Sequence, residues 1–434
     1  MLRPTIFALI FGLILGLVTV FAVLRRSPTY FCEAAETPAA YEGEWFYRLH
    51  AGPDGWLLRD DDLTTTATVR PSTLAYLTRL TDALEAQNVT LILVAQPPRG
   101  VALTAESLPG YDPGAALKRY TAVRAALETT GLQVTDLGAA VRDTPAYFFR
   151  RDHHWTPAGA ERSARAVAEI VHATETYRGL EPETFLTETV GQEEQVGSFG
   201  EVIGRICGLN PPAERLPRYR TTRQTSPQTT TQTTSEAARS LFGDASAPPI
   251  TLVGTSNSAR PDLNFAGFLE QATGLEVLNA AAIGGGPRAA LESYLRSRTF
   301  HEATPSFIVW EFATLFDVPQ DPLFYRQLIP SVVGVCATGA ATVTQLRGAH
   351  TQLFDDPPPG RAERLYLEFS DLSLTAFELA LRYQNGRSET LKVRRSGRET
   401  NDGNYSLELL GQPARITLTL PKGATGDVQA RLCP

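Results

Sequence analysis

Several patterns are missing from this 434-residue chain, and each absence removes a class of function. Its lysines and arginines are not clustered. The net charge of −7 is spread along the sequence with no long basic run. Nucleic acid, whose phosphates are bound by clustered cations, is therefore not expected as a partner. Cysteine occurs only four times, at Cys32, Cys207, Cys336 and Cys433, and no two form a C-x-x-C pair. Zinc and thioredoxin-type readings are correspondingly weak. No H-E-x-x-H helix motif and no G-x-G-x-x-G fingerprint is present, and there is no internal repeat. Neither a metal nor a cofactor is expected.

What remains is an ordinary globular composition, 43% hydrophobic and 20% charged, with room for two or three domains. The exception is the N-terminus. Residues 5–24 carry no charge, and a run of that length suits one membrane-spanning helix. Arg25 and Arg26 follow it, and no small-x-small cleavage site does, so residues 1–29 read as an uncleaved signal-anchor rather than a signal peptide. The flanking charges do not set its orientation. The cysteines do. An even number of widely spaced cysteines downstream of a secretion signal suggests two disulfides in an oxidising compartment, and the spacing suggests Cys32–Cys207 and Cys336–Cys433. Four buried free thiols are the alternative.

From residue 30 to about 337, strand-like and helix-like patterns alternate. VTLILVA (89–95), LQVTDL (132–137), ITLV (250–253), LEVLN (275–279) and SFIVWEF (306–312) are short apolar runs of the kind buried on both faces of a sheet. Helices are predicted over 72–86, 114–129, 157–171, 262–273 and 287–299. Thr156 and Pro157 supply a cap and a first position for the third. This βαβα rhythm predicts a mostly parallel, doubly covered α/β sheet. The segment 221–247 is rich in threonine and glutamine and too polar to offset its ordering entropy, so it reads as a disordered loop. From 338 to 434 only short strands with polar breaks remain, including an Asn385-Gly386 hairpin signal, and a β-sandwich is predicted.

Two stretches carry chemistry. RRDHHWTPAGAE (150–161) sets Asp152 two residues before His154. VGTSNSA (253–259) sets Ser256 just after an apolar strand, where open α/β sheets present their ligands. A serine nucleophile needs a base, and the base needs an orienting carboxylate. Each part has a plain alternative: G-T-S is also a small-residue turn, and D-x-H also caps a helix. Asp152, His153 and His154 together allow a metal reading, although adjacent histidines point in different directions. Ser256 offers its backbone N–H to an oxyanion hole. Asn279 and the glycines of AAIGGGPRAA, Gly285 among them, are candidates for a second donor or for the acceptor side. Trp310-Glu311-Phe312 ends a strand at the same sheet edge, or simply closes the core.

These pieces, in the order GPDGWLL, QPPRG, RRDHHWTPAGA, VGTSNSA, NFAG, LNAAAIGGG and VWEF, resemble the periplasmic alginate O-acetyltransferases of the AlgX and AlgJ group over roughly residues 41–315. The resemblance implies an SGNH-hydrolase-like three-layer α/β/α domain with Asp152, His154 and Ser256 as its triad. It also implies a carbohydrate-binding C-terminal sandwich, two disulfides and a periplasmic location on the inner membrane. The activity implied is transfer of acetyl groups to an exported polysaccharide, with a multi-pass membrane acyltransferase as acetyl source. The chain departs from the family pattern at Asn257 and in the ATLFDV that follows Phe312, and both departures are assigned to the acceptor side. A carbohydrate esterase with the same triad is one alternative. A binding scaffold that uses Arg382, Arg387, Arg394, Arg395 and Arg398 is another.

Overall fold

A computed structural model describes residues 29–64, 68–104, 107–224, 247–313, 318–346, 350–357 and 361–434. The apolar run 5–24, residues 225–246 of the Thr/Gln-rich segment and residues 314–317 of ATLFDV lie outside the described residues. Among the described residues no helix is long and apolar enough to cross a membrane.

A hairpin of β1 (Leu49–Ala51) and β2 (Leu57–Arg59) leads into the α/β layers. The central sheet is built from β3 (Thr90–Gln96), β4 (Gln133–Val134), β7 (Ile250–Val253), β8 (Val277–Asn279) and β9 (Phe307–Ala313), with an antiparallel ribbon, β5 (Phe185–Gln195) and β6 (Glu214–Arg223), inserted in the chain between β4 and β7. The order is β4-β3-β9-β7-β8, and every pairing is parallel. Alternation along each strand explains why the runs are apolar throughout. Leu91, Leu93, Ile308, Trp310 and Phe312 meet one helical layer, formed by Pro71–Glu85, Ala289–Arg296 and Pro322–Val333. Ile92, Val94, Phe307, Val309 and Leu252 meet the other, formed by Pro157–Ala173 and Phe265–Thr273.

The expected α/β elements stand close to their predicted bounds, with three corrections. LQVTDL contributes only two strand residues before the chain turns into the helix Gly138–Asp143. The helix expected at 287–299 begins at Ala289 and breaks at Ser297, whose hydroxyl caps a second short helix by accepting from Phe300 N at 3.2 Å. Residues 221–223, expected to be disordered, finish β6. The ribbon itself escaped the sequence pattern because both its strands are largely exposed and polar. Between them sits the helix Ser198–Cys207.

The C-terminal part is a pair of four-stranded antiparallel sheets over a shared apolar core. One sheet holds β10 (Ala341–Gln345), β17 (Asp427–Cys433), β12 (Arg364–Phe369) and β15 (Asn404–Glu408). The other holds β11 (His350–Asp355), β16 (Pro413–Thr419), β13 (Ala376–Tyr383) and β14 (Ser388–Arg394). β11 is bulged between Gln352 and Phe354. Asn385-Gly386 turns β13 into β14, with Gly386 at φ 84°. The disulfides are Cys32–Cys207 and Cys336–Cys433, each with Cα atoms 5.7 Å apart, a normal separation. The two parts of the chain are tied together by Arg326, which grips Glu389 at 2.8 and 2.9 Å and Glu408 O at 2.8 Å.

Candidate active site

The carboxyl ends of β7 and β9 lie side by side, and the loop after β7 turns at Gly254. A Cβ at Gly254 would stand 2.7 Å from Glu311 Oε2, so only glycine lets the turn settle onto that carboxylate. Thr255 caps the helical turn Ser256–Ala259. Thr255, Asn257 and Ser258 are buried, and Ser256 is partly open to solvent. As first residue of a helical turn, Ser256 has a backbone N–H without a partner inside that turn.

The DHHW segment approaches from the other side. Phe148 bridges Trp155 in antiparallel fashion, and Trp155 is fully buried. Its indole N–H donates to Asn257 O at 3.2 Å, and its backbone N–H donates to Asn257 Oδ1 at 3.2 Å. This clamp sets His154, one residue earlier, against the turn that carries Ser256. His154 Nε2 lies 2.7 Å from Ser256 Oγ. Nδ1 of the same ring meets Asp152 Oδ1, which also accepts His154 N at 2.9 Å. With the proton on Nδ1 held by Asp152, Nε2 presents its lone pair to the hydroxyl.

Asp152 is buried, and burial alone would raise its pKa. The hydrogen bond from His154, the favourable electrostatics of the two adjacent imidazoles and the N–H of Ser198 outweigh that cost and hold the carboxyl well below its usual range. The Ser198 contact, 2.8 Å to Oδ2, comes from the first turn of the helix Ser198–Cys207, whose N-terminal end favours negative charge. That helix also receives the preceding loop, with Phe199 N and Gly200 N both donating to Arg151 O.

Three contributors were not singled out from the sequence. Ser198 could have been suspected from the apolar face Val202, Ile203 and Ile206 followed by Gly208, which caps the helix at φ 62°. Arg260, four residues after Ser256, pairs with Asp262 and brings Nη1 within 3.3 Å of His154 Nδ1. Glu311 was noted only as part of an aromatic strand end. It is fully buried beneath the turn. It accepts from Thr255 N at 3.0 Å, Ser258 Oγ at 2.8 Å, Asn257 Nδ2 at 3.3 Å and the Thr255 hydroxyl. Burial raises its pKa against those bonds. No local pattern in the sequence announces such a contact, because adjacent parallel strands here bring together residues 53 to 56 positions apart.

The remaining candidates make structural contacts, two of them at the turn that carries Ser256. Asn257 is buried in the clamp just described, not on an acceptor surface. Asn279 Nδ2 donates to Ser258 O at 2.8 Å, and Gly285 N donates to Ala282 O at 3.4 Å, so both buttress loops. Of the five candidate arginines in the sandwich, Arg395 is buried over the Tyr405 ring and bonded to Asn401 and Asp402, which removes it from the exposed set. Asp152, His153 and His154 bring ligand-type atoms within 4.8 Å of one another. Both ring nitrogens of His154 are already engaged, so a metal there would have to displace the Asp152 and Ser256 contacts.

Comparison with known proteins identifies the family. The sequence profile described as SGNH hydrolase-like domain, acetyltransferase AlgX, matches residues 49–314. The alginate biosynthesis protein AlgX of Pseudomonas aeruginosa is 32% identical, over 98% of this chain and 94% of that protein. The probable alginate O-acetylase AlgJ of Pseudomonas putida is 33% identical over 60% of this chain and 68% of its own. The solved structure of Pseudomonas aeruginosa AlgX superposes with a TM-score of 0.78 at 29% identity, covering 93% of this chain and 99% of that one. The O-acetyltransferase domain of Pseudomonas putida AlgJ gives 0.51 at 27% identity, over 65% of this chain and 99% of that domain. The chain belongs to the AlgX family of SGNH hydrolase-like acetyltransferases.

Proposed function

We propose that this protein moves acetyl groups onto hydroxyls of an exported polysaccharide, alginate or a close analogue, through an acetyl-serine intermediate. The observation that carries this reading is the line Asp152–His154–Ser256 at the carboxyl edge of the sheet, with Ser256 Oγ 2.7 Å from Nε2. In the first half-reaction His154 takes the Ser256 proton as Oγ attacks the acetyl carbonyl of a donor ester. The Ser256 N–H meets the developing oxyanion, and the imidazolium returns its proton to the leaving group. In the second half, a sugar hydroxyl gives its proton to Nε2 and attacks the acetyl carbon. The bond to Oγ breaks and the proton passes to Ser256. Asp152 stays ionised and stabilises the imidazolium in both halves.

The polysaccharide acceptor is supported by the alginate-related names of the relatives, and a membrane-bound multi-pass acyltransferase as acetyl source by the family resemblance. The two disulfides suit a periplasmic site, and residues 5–24 suit an anchor to the inner membrane. In the domain scheme proposed with it, residues 30–337 hold the chemistry and 338–434 a carbohydrate-binding sandwich. The test is intact-protein mass spectrometry after incubation with p-nitrophenyl acetate, run beside Ser256→Ala. One acetyl adduct is expected on the wild type and none on the variant, with equal melting temperatures. Polymer acetylation by Ser256→Ala at the wild-type rate would overturn the reading. An adduct discharged by water alone, never by oligosaccharide, would turn it into an esterase.

A further inference from the structure

The acceptor must sit beside Ser256, and nothing described so far holds a sugar there. The segment just before β1 carries two strongly exposed aromatic side chains, Trp45 at 54% and Tyr47 at 70%. A single exposed aromatic residue is ordinary. Trp45 is not ordinary, because it is immobilised from beneath. The guanidinium of Arg59 lies over its ring, 4.7 Å from the centroid. Arg59 is itself buried and held by Asp62 at 3.2 Å, and Asp62 also binds Arg99 at 2.9 Å. Arg99 is locked in turn by Leu57 O at 2.8 Å and Phe149 O at 2.6 Å. A buried three-residue ion cluster thus ends in an open indole.

That indole adjoins the chemistry. The Trp45 and His153 rings meet at 70° with centroids 5.0 Å apart, and the His153 ring lies 3.8 Å from that of His154. His153 is kept neutral. Burial, the neighbouring His154 and the positive charges of Arg59 and Arg99 push it down to about 3, against the opposing pull of Asp152. An uncharged ring therefore separates Trp45 from the base. Phe46, packed edge-on against Trp45 at 5.2 Å, roots the segment in the core. Glu44, the acidic residue next to Trp45, is paired with Arg205.

We propose that Trp45, flanked by Tyr47, is the stacking platform for a pyranose ring of the acceptor polysaccharide, placing a hydroxyl of the chain at Ser256. This rests on the acetyltransferase reading above. One face of a pyranose is a patch of C–H bonds, which suits the face of an aromatic ring. A ring fixed in advance loses little freedom on binding.

The experiment compares wild type, Trp45→Ala, Trp45→Phe and Tyr47→Ala, each checked by melting temperature, with p-nitrophenyl acetate as donor and alginate-derived oligosaccharides as acceptor. For Trp45→Ala the acceptor KM is expected to rise about tenfold or more, while kcat at saturating acceptor stays within about twofold. Trp45→Phe recovers part of the loss, and Tyr47→Ala has the smaller effect. An unchanged acceptor KM in Trp45→Ala overturns the platform. Calorimetric titration of the oligosaccharide into Ser256→Ala and into Trp45→Ala/Ser256→Ala separates this proposal from the function it rests on. If wild type cleaves the ester but never acetylates the sugar, the transferase reading fails. The platform then stands if binding is lost with Trp45, and falls if binding is equal in both or absent from both.

Discussion

The α/β part and the sandwich of this molecule bury different things. The sandwich core is almost wholly aliphatic and aromatic, Leu365, Leu379, Leu381, Ile416, Leu418 and Val428 among others, with Arg395 its one buried charge among the described residues. The α/β part buries Arg59, Asp62, Arg99, Asp152, His154, Glu292, Glu311 and Arg326 as well as its hydrophobic layers. Burying charge costs stability unless each group is paired and hydrogen-bonded. The sandwich has little reason to bear that cost. In the α/β part, Asp152, His154 and Glu311 bear it around Ser256, where the proposed reaction would draw on fixed dipoles and charges. Buried charge therefore separates the α/β part of this chain from the sandwich.

That contrast can be broken or sharpened by substitution. The largest effect is expected at Asp62, because Asp62→Asn strands two buried guanidiniums. A loss of about 3–5 kcal/mol in denaturant unfolding is expected. A shift below about 1 kcal/mol, the scale of surface pairs, would show the cluster to be solvated. In the sandwich, Leu379→Ala should cost about 2–5 kcal/mol through a cavity, with ester turnover per folded molecule unchanged. A fall in that turnover would mean the two parts are coupled. Glu311→Gln keeps the volume but turns an acceptor-only group into one with an N–H₂ facing donors. The turn carrying Ser256 should shift, lowering kcat about 100-fold with little change in acceptor KM. Equal kcat would reduce Glu311 to a packing residue.

The smallest effect concerns Glu292, whose carboxyl sits where the helix Ala289–Arg296 meets the sandwich. Burial, then the nearby Glu399, raises its pKa from 4.5 to about 7, against the pull of Arg288 and Arg296. Between those values the folded protein holds a proton that the unfolded chain has released. Stability from this group is thus present below about pH 4.5 and lost as pH rises through about 7. Glu292→Gln should flatten the fall in melting temperature between pH 5 and 8. Parallel wild-type and variant curves would count against a raised carboxyl.

Much of the α/β layer was legible because its signals are local. ITLV at 250–253 forms its strand with the predicted bounds, and Thr156-Pro157 starts its helix where capping chemistry says it should. The ribbon β5–β6 was not legible, because strands such as FLTETVGQEEQ bury almost nothing and so lack a two-residue apolar period. Asp152, His154 and Ser256 could be named from short motifs. The clamp of Trp155 on Asn257 and the seat of the turn on Glu311 could not, since each joins elements that only the sheet order makes neighbours.

The residues by themselves determined most of the strands and helices of the central α/β layer, where that pattern yields to a sandwich, and which side chains are chemically able to act. Those properties follow from periodicity, capping and side-chain chemistry within a few positions of each other. Tertiary structure alone decided that His154 meets Ser256, that a helix N-terminus faces Asp152, that a buried carboxylate lies beneath the turn carrying Ser256, and that Trp45 stands open beside His153. Each of these contacts joins distant stretches of chain. The entropy of closing such loops is offset by the packed core as a whole, and no single motif encodes the closure.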